Sequence, residues 1–449
     1  MSLYALLAAR AAAGKPVRVG VIGAGKFASM FLTQAPRIEG MHVMGIGDID
    51  VARARQTLER VRWETDQYAA RSCGEAIDRG TTFVTDDVAG LIAHPEVEVI
   101  VESTGNPPAA VSHALKAFAA KKHVVMVTVE ADAFAGPLLA RKAQEAGVVY
   151  SLAYGDQPAL ICELVDWARV AGFEVVAAGR GHKWLPHFYK STPETVWDNW
   201  GLTAEQARAG GMNPQMFNSF LDGTKPAIES AAVSNATGLT PAPDGLAFPP
   251  CGIDHLPHIL RPAEEGGLLH HAGQVEVTSS LERDGRPVYR DIRWGVWVVY
   301  KAGNDYVERN FKEYAVVTDA SGRYACMYRQ WHLIGLEVSL SVASAALRRE
   351  PTGAATGFRA DVVATAKRDL QPGEMLDGEG GYTVYGKLTP AARSLALGGL
   401  PIGLAHKVKL VRPVKEGDAV TWNDVAVDAT TEAVRFRREM EVTFRAELG

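Results

Sequence analysis

Residues 19–28 read VGVIGAGKFA, and the fold follows from how that stretch is read. Val17–Ile22 is a short apolar run rich in β-branched residues, so a strand leads directly into the glycines. Gly23, Gly25 and Ala28 then fit the spacing G-x-G-x-x-(G/A). The first glycine allows a tight turn. The second lets the backbone approach a pyrophosphate, and the third small residue lets helix and strand pack closely. The helix that follows would aim free N–H groups and its positive dipole end at an anion. The bare spacing is weak, but a strand before it and a helix after it make it a dinucleotide-binding signature. Gly23, Gly25, Lys26, Phe27 and Ala28 are the candidate cofactor contacts.

Outward from this loop, strand and helix patterns alternate as far as residue 155. Apolar strands are expected at 42–46, 97–101, 123–127 and 148–152. Helices are expected at 29–38, 51–68, 108–119 and 136–146. Continuous apolar strands separated by helices imply a parallel sheet covered on both faces. Asp48 ends the second strand, where an acid accepts hydrogen bonds from the adenine ribose. A 2′-phosphate there would meet a like charge, at a cost of about 4 kcal/mol at ~4 Å before screening. NAD is therefore expected over NADP. Asp50 is a rival for that role, and Arg53 and Arg55 read as a solvated helix face that could otherwise rescue a phosphate. The loop VESTGN (101–106) follows the fourth strand and supplies Ser103, Thr104 and Gly105 as further cofactor contacts.

Composition sets outer bounds. The chain has 449 residues, 47% hydrophobic and 22% charged, ordinary values for a globular protein of about three domains. Its net charge of -5 implies neither a nucleic-acid nor an acidic-membrane partner. Four scattered cysteines form no CxxC, which fits a reducing compartment, and a cytoplasmic location is expected. Residues 1–13 read as an amphipathic helix on the first domain rather than a targeting peptide.

Three domains are expected: 1–155, a Rossmann-type parallel sheet; 156–350, an α+β substrate domain; and 357–449, a small β module after a Pro/Gly/Thr-rich linker. In the middle domain, helix is expected at 158–171, 214–235 and 333–347, and strand at 274–279, 295–300 and 314–318. Polar residues cluster in VEAD (129–132), YGDQP (154–158), GRGHK (179–183) and LDGTKPAIESAAVSNATG (221–238). If the last is one roughly continuous helix, Asp222, Lys225 and Glu229 share a face, although Gly223 and Pro226 should kink or break it. A lysine between carboxylates suits carbonyl reduction, because it can donate to the oxygen that becomes the alkoxide. The plain alternative is a salt-bridged, solvated helix face. Arg180, His182 and Lys183 form a basic cluster suited to a substrate phosphate or carboxylate. The pairs His255/His258 and His270–His271 lack the further ligands zinc needs, so no metal ligands are assigned. A divalent ion held by carboxylates and substrate stays open.

On these motifs the first 350 residues resemble the homoserine dehydrogenase-like oxidoreductases. The chain more closely resembles the DXR-like enzymes, a second type of 1-deoxy-D-xylulose 5-phosphate reductoisomerase with a C-terminal SAF (β-clip) module. The stretches that carry this are VEAD, YSLAYGDQP (150–158), FLDGTK (220–225), SNATGL (234–239) and HLIGLEVSLSVA (332–343). AKRDLQPGEMLD (366–377) and LVRPVKEGDAVTWNDV (410–425) carry the SAF likeness. The resemblance implies an Asp222/Lys225 active-site pair. It also makes Glu130, Asp132 and Asp156 pocket residues, and Asn235 either a substrate contact or a cap. Two departures limit it. Homoserine dehydrogenases usually carry a lysine where this chain has Glu130, and the DXR-like enzymes use NADPH and would not be expected to carry an acid at Asp48. The aromatic-rich segment 182–200 reads either as a substrate pocket or lid, or as a subunit contact.

The expected function is hydride transfer between a nicotinamide cofactor and a carbonyl or secondary alcohol of a small hydroxylated substrate. NAD is expected, with NADP possible. Lys225 would serve the reacting oxygen, Asp222 would orient it, and Glu229, Glu130 and Asp156 would handle hydroxyls or protons. Reductoisomerisation of a deoxyketose phosphate with NADPH and a divalent metal is the second reading. A non-catalytic NAD-binding sensor or assembly protein is the third. A small-molecule substrate and a homo-oligomer are expected.

Overall fold

The computed structural model describes residues 2–209 and 212–448, and the chain divides into two compact units. The first comprises Met1–Ala159 and Leu333–Ala354, and the second Leu160–His332 and Ala355–Gly449.

The first unit opens with α1 (Leu3–Ala12), capped by the Ser2 side chain, which buries Leu7. The elements that follow are β1 (Val17–Ile22), α2 (Lys26–Gln34), β2 (Met41–Gly47), α3 (Val51–Arg60), α4 (Cys73–Arg79), β3 (Phe83–Thr85) and α5 (Val88–Ala93). After them come β4 (Val99–Glu102), α6 (Pro107–Ala119), β5 (His123–Met126), α7 (Val129–Ala146) and β6 (Tyr150–Leu152). The six strands form one parallel sheet in the order β3-β2-β1-β4-β5-β6, the order of a dinucleotide-binding Rossmann domain. Val19, Val21, Val99, Val101 and Val125 are fully buried between its helices. This is the expected parallel α/β architecture.

Several boundaries differ from the sequence reading. α3 ends at Arg60 because Arg62 turns left-handed (φ 66°), and residues 65–68 form only a short 3-10 turn. α7 begins at Val129, so VEAD is its first turn and not a loop. Pro137 sits inside this helix, which starts seven residues before the expected position 136. α4, β3 and α5 were not visible, being short and without a strong period.

α8 (Gln157–Val170) leads to β7 (Glu174–His182), then α9 (Val196–Trp200), α10 (Ala204–Ala209), α11 (Pro214–Leu221), α12 (Thr224–Thr237), α13 (Leu256–Ile259), β8 (Gln274–Ser279), β9 (Val296–Lys301), α14 (Asp305–Glu313) and β10 (Tyr324–Arg329). A mixed sheet runs β10-β9-β7-β8, with β7 parallel to β8 and antiparallel to β9. The strand expected at 314–318 is absent. Tyr314 ends α14, Ala315 turns left-handed (φ 52°), and only Thr318 pairs, across to Ala325. The helix expected at 333–347 is reduced to α15 (Ser339–Ala343) and a π turn, and it belongs to the first unit.

The C-terminal stretch holds β11 (Ala360–Ala366), β12 (Met375–Asp377), β13 (Val384–Pro390), α16 (Ala391–Leu397), β14 (His406–Leu410), β15 (Val425–Ala426) and α17 (Glu432–Leu448). β11 pairs antiparallel with β13, while β12, β14 and β15 form a second small sheet. Arg437 of α17 is fully buried and ion-paired to Asp361 (2.5 Å) and Glu441 (2.9 Å). Among the described residues, no helix is long and apolar enough to cross a membrane.

Candidate functional sites of the two units

In the first unit the glycine loop has the shape its sequence demands. Gly23 has φ +89°, and a Cβ there would lie 2.8 Å from Ser103 O and Thr104 Cα, so only glycine fits. A Cβ on Gly25 would meet nothing within 4 Å. Gly25 is also the N-cap of α2, and no side chain caps that helix. An open approach and an uncapped helix start are the fit a pyrophosphate requires. Ala28 is buried against the sheet. Ser103 Oγ donates to Ile22 O and Gly23 O, at 3.0 and 2.9 Å, and so locks the two loops together.

Asp48 is buried at the end of β2. Its Oδ2 accepts from Ala24 N–H (2.8 Å) and its Oδ1 from Asp50 N–H (2.9 Å). The half-exposed Arg53 guanidinium donates to both oxygens, at 3.0 and 3.2 Å. Arg53 is thus a partner of Asp48 and not an isolated solvated charge. Asp50, the rival acid, is used as the N-cap of α3. Arg55 lies over the Tyr68 ring. Ile49, between the two acids, is 91% exposed, an apolar surface beside Asp48 that the sequence reading passed over.

Sequence reasoning also missed Glu102, the last residue of β4. It is fully buried and accepts from Thr104 Oγ1 (2.6 Å) and Thr128 Oγ1 (2.5 Å), with His113 Nδ1 at 3.3 Å. Thr128 in turn accepts from Gly105 N–H (3.1 Å). A charged residue at the tip of an apolar strand was the available signal. Thr104 and Gly105 therefore sit in a side-chain network that shapes the loop.

Asp132, in the first turn of α7, is completely buried and accepts from Tyr150 OH at 2.8 Å. Burial pushes its carboxyl up to about 7, against the smaller opposing effect of that hydrogen bond. Glu130 is half-buried in the same turn. Asp156, nearly buried, accepts from Gln157 N–H (2.9 Å) where β6 gives way to α8.

In the second unit the continuous helix expected over residues 221–238 is broken. α11 stops at Leu221, Gly223 turns left-handed (φ 88°), and α12 restarts at Thr224 with Pro226 in its first turn, where proline is tolerated. Asp222 caps this restart: its Oδ1 accepts from Thr224 N–H (3.0 Å). Its Oδ2 lies 2.8 Å from the ammonium of Lys367, which also donates to Ser191 O and Gly381 O, both at 2.7 Å. Lys225 is half-buried in the first turn of α12. Glu229, one turn on, is buried in an ion pair with Arg180 of β7.

The basic cluster is dispersed by its partners. Arg180 faces Glu229. His182 Nε2 lies 2.7 Å from Phe220 O, and burial, with nearby Arg180, holds its pKa well below the usual value. A neutral ring facing a carbonyl must donate, so Nε2 carries the proton. Lys183 caps the end of α9 through Asn199 O (2.8 Å) and Trp200 O (3.1 Å). Asn235 is fully buried and ties α12 to the start of β11, accepting from Arg359 and Ala360 N–H and donating to Ala360 O. Much of segment 182–200 packs in a small aromatic core, with Trp184, Trp197 and Trp200 beside Phe217 of α11. Among the described residues, no group of three His, Cys, Asp or Glu could hold a metal ion.

Glu276, in the middle of β8, is a second buried acid that went unread in QVEVTS. It accepts from Ala247, Phe248 and Val277 N–H. Burial raises its pKa to about 7 against those bonds. A carboxyl raised in the folded state binds protons that the unfolded chain has already lost. Its stabilising contribution is therefore complete below about pH 4.5 and is lost as pH rises through about 7, some 3 kcal/mol in all. Glu276→Gln should flatten the fall in urea midpoint between about pH 5 and pH 8 relative to the unmodified chain. An unchanged slope would show that Glu276 is ionised in the fold already at pH 5. Asp132 contributes in the same direction.

The sheet order and the glycine loop define an NAD(P)-binding oxidoreductase fold. In agreement, residues 19–152 match the family model of the homoserine dehydrogenase NAD binding domain. Residues 155–338 match that of the catalytic domain of oxidoreductase DRL. The chain is 31% identical over 139 residues to homoserine dehydrogenase of Pseudomonas aeruginosa, covering 30% of this chain and 28% of that protein. It therefore spans little more than a quarter of the length of that relative. Among solved structures it is similar to a homoserine dehydrogenase from Thiobacillus denitrificans (15% identity, 75% of this chain and 74% of that one, TM-score 0.41). It is also similar to biliverdin reductase from Synechocystis sp. PCC 6803 (19%, 38% and 48%, TM-score 0.28). The chain thus carries a homoserine dehydrogenase-like NAD-binding domain and an oxidoreductase DRL catalytic domain.

Proposed function

We propose that this protein is an NAD(P)-dependent oxidoreductase, in which hydride passes between the nicotinamide and a carbonyl or secondary alcohol of a small hydroxylated substrate. The observation that carries this reading is the cradle at Gly23–Gly25, open, uncapped and set in a 3-2-1-4-5-6 sheet. The match of residues 155–338 to an oxidoreductase catalytic domain supports it. Gly25 and the first turn of α2 would hold the pyrophosphate, and Asp48 with Arg53 would meet the adenosine ribose. Lys225 Nζ would donate to the reacting oxygen. Asp222 is a positioning residue, acting through the turn it caps at Gly223–Thr224.

Arg53 changes the cofactor expectation. The repulsion of about 4 kcal/mol between Asp48 and a 2′-phosphate is offset by a guanidinium already bonded to that acid. Both cofactors should bind. Arg53→Ala should weaken NADPH by ~10-fold or more and NADH by no more than a few-fold, measured by calorimetric titration. Equal losses would make Arg53 only a support for Asp48, and no binding of either cofactor would end the oxidoreductase reading.

The same ion pair favours a second reading, NADPH-dependent reductoisomerisation of the DXR-like type, with β11–β15 as an SAF-like module. It differs in its product, whose carbon skeleton would be rearranged, and product analysis separates the two.

A further inference from the structure

In the first unit the strand order divides the crevice above the parallel sheet. Asp48, at the end of β2, would meet the adenosine ribose, and the cradle after β1 would hold the pyrophosphate. The loop after β4, one strand further on, is then left for the nicotinamide. This loop, 103–106, is backed by Glu102, a side chain with no exposed surface.

The hydrogen bonds of the loop all run inward. Ser103 N–H donates to Ile22 O (2.8 Å). Gly105 N–H donates to Thr128 Oγ1 (3.1 Å), whose own proton goes to Glu102 Oε2 (2.5 Å). Asn106 N–H donates to Thr104 Oγ1 (3.2 Å), whose proton goes to Glu102 Oε1 (2.6 Å). Thr104 N–H reaches that same oxygen at 3.4 Å, and His113 Nδ1 lies 3.3 Å from it. Each hydroxyl accepts from an amide and so gives its proton to the carboxyl. Glu102 is therefore a pure acceptor, an ionised carboxylate.

The amides of Ser103, Thr104, Gly105 and Asn106 are all spent in this way. To a ligand, the backbone of the loop offers carbonyl oxygens and no N–H. Among the described residues, nothing donates to Thr104 O or Gly105 O. Gly105 is exposed, and a Cβ on it would meet nothing within 4 Å, so the rim is open to approach. Behind the rim stands a negative charge that no lysine or arginine among the described residues pairs with. Little solvent screens a buried charge, so it acts at longer range than an exposed one.

The two redox forms of the cofactor differ at this end alone. They share adenosine, pyrophosphate and carboxamide, but the oxidised ring is a cation and the reduced ring is neutral. We propose that Glu102 is a positioning residue that makes the nicotinamide end of the site select the oxidised ring. Holding the oxidised form more tightly makes the bound reduced form a stronger hydride donor by the same factor. The site is thus poised for reduction: the hydride leaves the reduced ring with its electron pair for a carbonyl carbon, and the carbonyl oxygen takes up a proton. This inference rests on the oxidoreductase reading above.

The test is calorimetric titration of the whole protein, at fixed salt, with NAD⁺, NADH, NADP⁺, NADPH and ADP-ribose. The unmodified chain should bind the oxidised form more tightly than the reduced form. Glu102→Gln keeps the shape and removes the charge. It should cut that preference by ~10-fold and leave ADP-ribose affinity unchanged. The positive ends of α6 and α7 act alike in both proteins, so the change reads the carboxylate. The acetylpyridine analogue of NAD⁺, in which a methyl replaces the amide NH₂, should bind several-fold more weakly than NAD⁺, because the rim accepts only. An oxidised-to-reduced ratio unchanged by Glu102→Gln overturns the proposal, as does tighter binding of the reduced form by the unmodified chain. Equal binding of the acetylpyridine analogue overturns it too, by removing the rim from the site. If Glu102→Gln does not fold, Thr128→Val, which keeps the charge but releases Gly105 N–H, should lower the preference several-fold, and an unchanged preference there is equally fatal. Failure of ADP-ribose and of every dinucleotide to bind would instead end the oxidoreductase reading itself.

Discussion

Lys225→Ala should lower kcat by ~10²- to 10³-fold and leave the affinities for NADH and NADPH unchanged. The reasoning begins with the helix. Lys225 stands in the first turn of α12, at the positive end of the helix dipole, where a cation costs a few tenths to about 1 kcal/mol. Helix economy does not favour a lysine there, whereas a donor aimed at a developing alkoxide does. On the proposed reading, the turn before it places that donor. Gly223 takes a left-handed conformation, and Asp222 caps the restart through Thr224 N–H. Losing the donor removes stabilisation specific to the transition state, about 3–4 kcal/mol, with no loss of cofactor contacts. Lys225→Arg should recover part of the rate, since it keeps the charge on a bulkier, differently shaped group. Steady-state kinetics on the substrate, with circular dichroism to confirm the helix, decides the matter. Turnover within a few-fold of the unmodified enzyme would remove Lys225 from the chemistry.

The parallel sheet and the cofactor loop were legible because their signals are local. VGVIGAGKFA couples a strand, a tight turn and a helix start within ten residues, and Val17–Ile22 and Gln274–Ser279 form strands as read. Elements decided by single backbone conformations were not legible. Nothing in the period of 51–68 shows that Arg62 will turn left-handed, and nothing in 314–318 shows that Ala315 will. The helix expected from 136 in fact starts at Val129, with Pro137 inside it. The site divides the same way. Asp48, Asp132, Asp222 and Lys225 stood out by residue type and position. Their partners did not, since Arg53 looked like an ordinary helix charge, and Glu102 and Glu276 sat unmarked in apolar strands. Lys367, far along the chain from Asp222, carried no signal toward it. Pairing between distant segments is a property of the fold, and one sequence does not display it.

That distant pairing ties the segment after β11 to the turn that the proposed function uses, with a testable consequence. Lys367→Met should cost about 3–5 kcal/mol of stability, although the residue lies outside every motif that suggests chemistry. The Lys367 side chain is 3% exposed and its partner Asp222 is fully buried. Removing the ammonium strands a carboxylate that retains only the Thr224 N–H, and leaves Ser191 O and Gly381 O without that donor. Asn218 still reaches Ser191 O (2.8 Å), so most of the loss falls on Asp222. Lys367→Met/Asp222→Asn should recover ~1–3 kcal/mol over the additive expectation, because the double variant no longer buries a charge alone. Urea denaturation of the four proteins measures the coupling directly. Additive losses, or a single-variant loss below about 1 kcal/mol, would show that solvent reaches Asp222 and that the pair is not a structural link. If the link holds, the folded Lys367→Met protein should also turn over more slowly, since Asp222 sets the turn from which Lys225 departs. Its cofactor affinity, which the proposed function assigns to Gly23, Gly25 and Asp48, should not change.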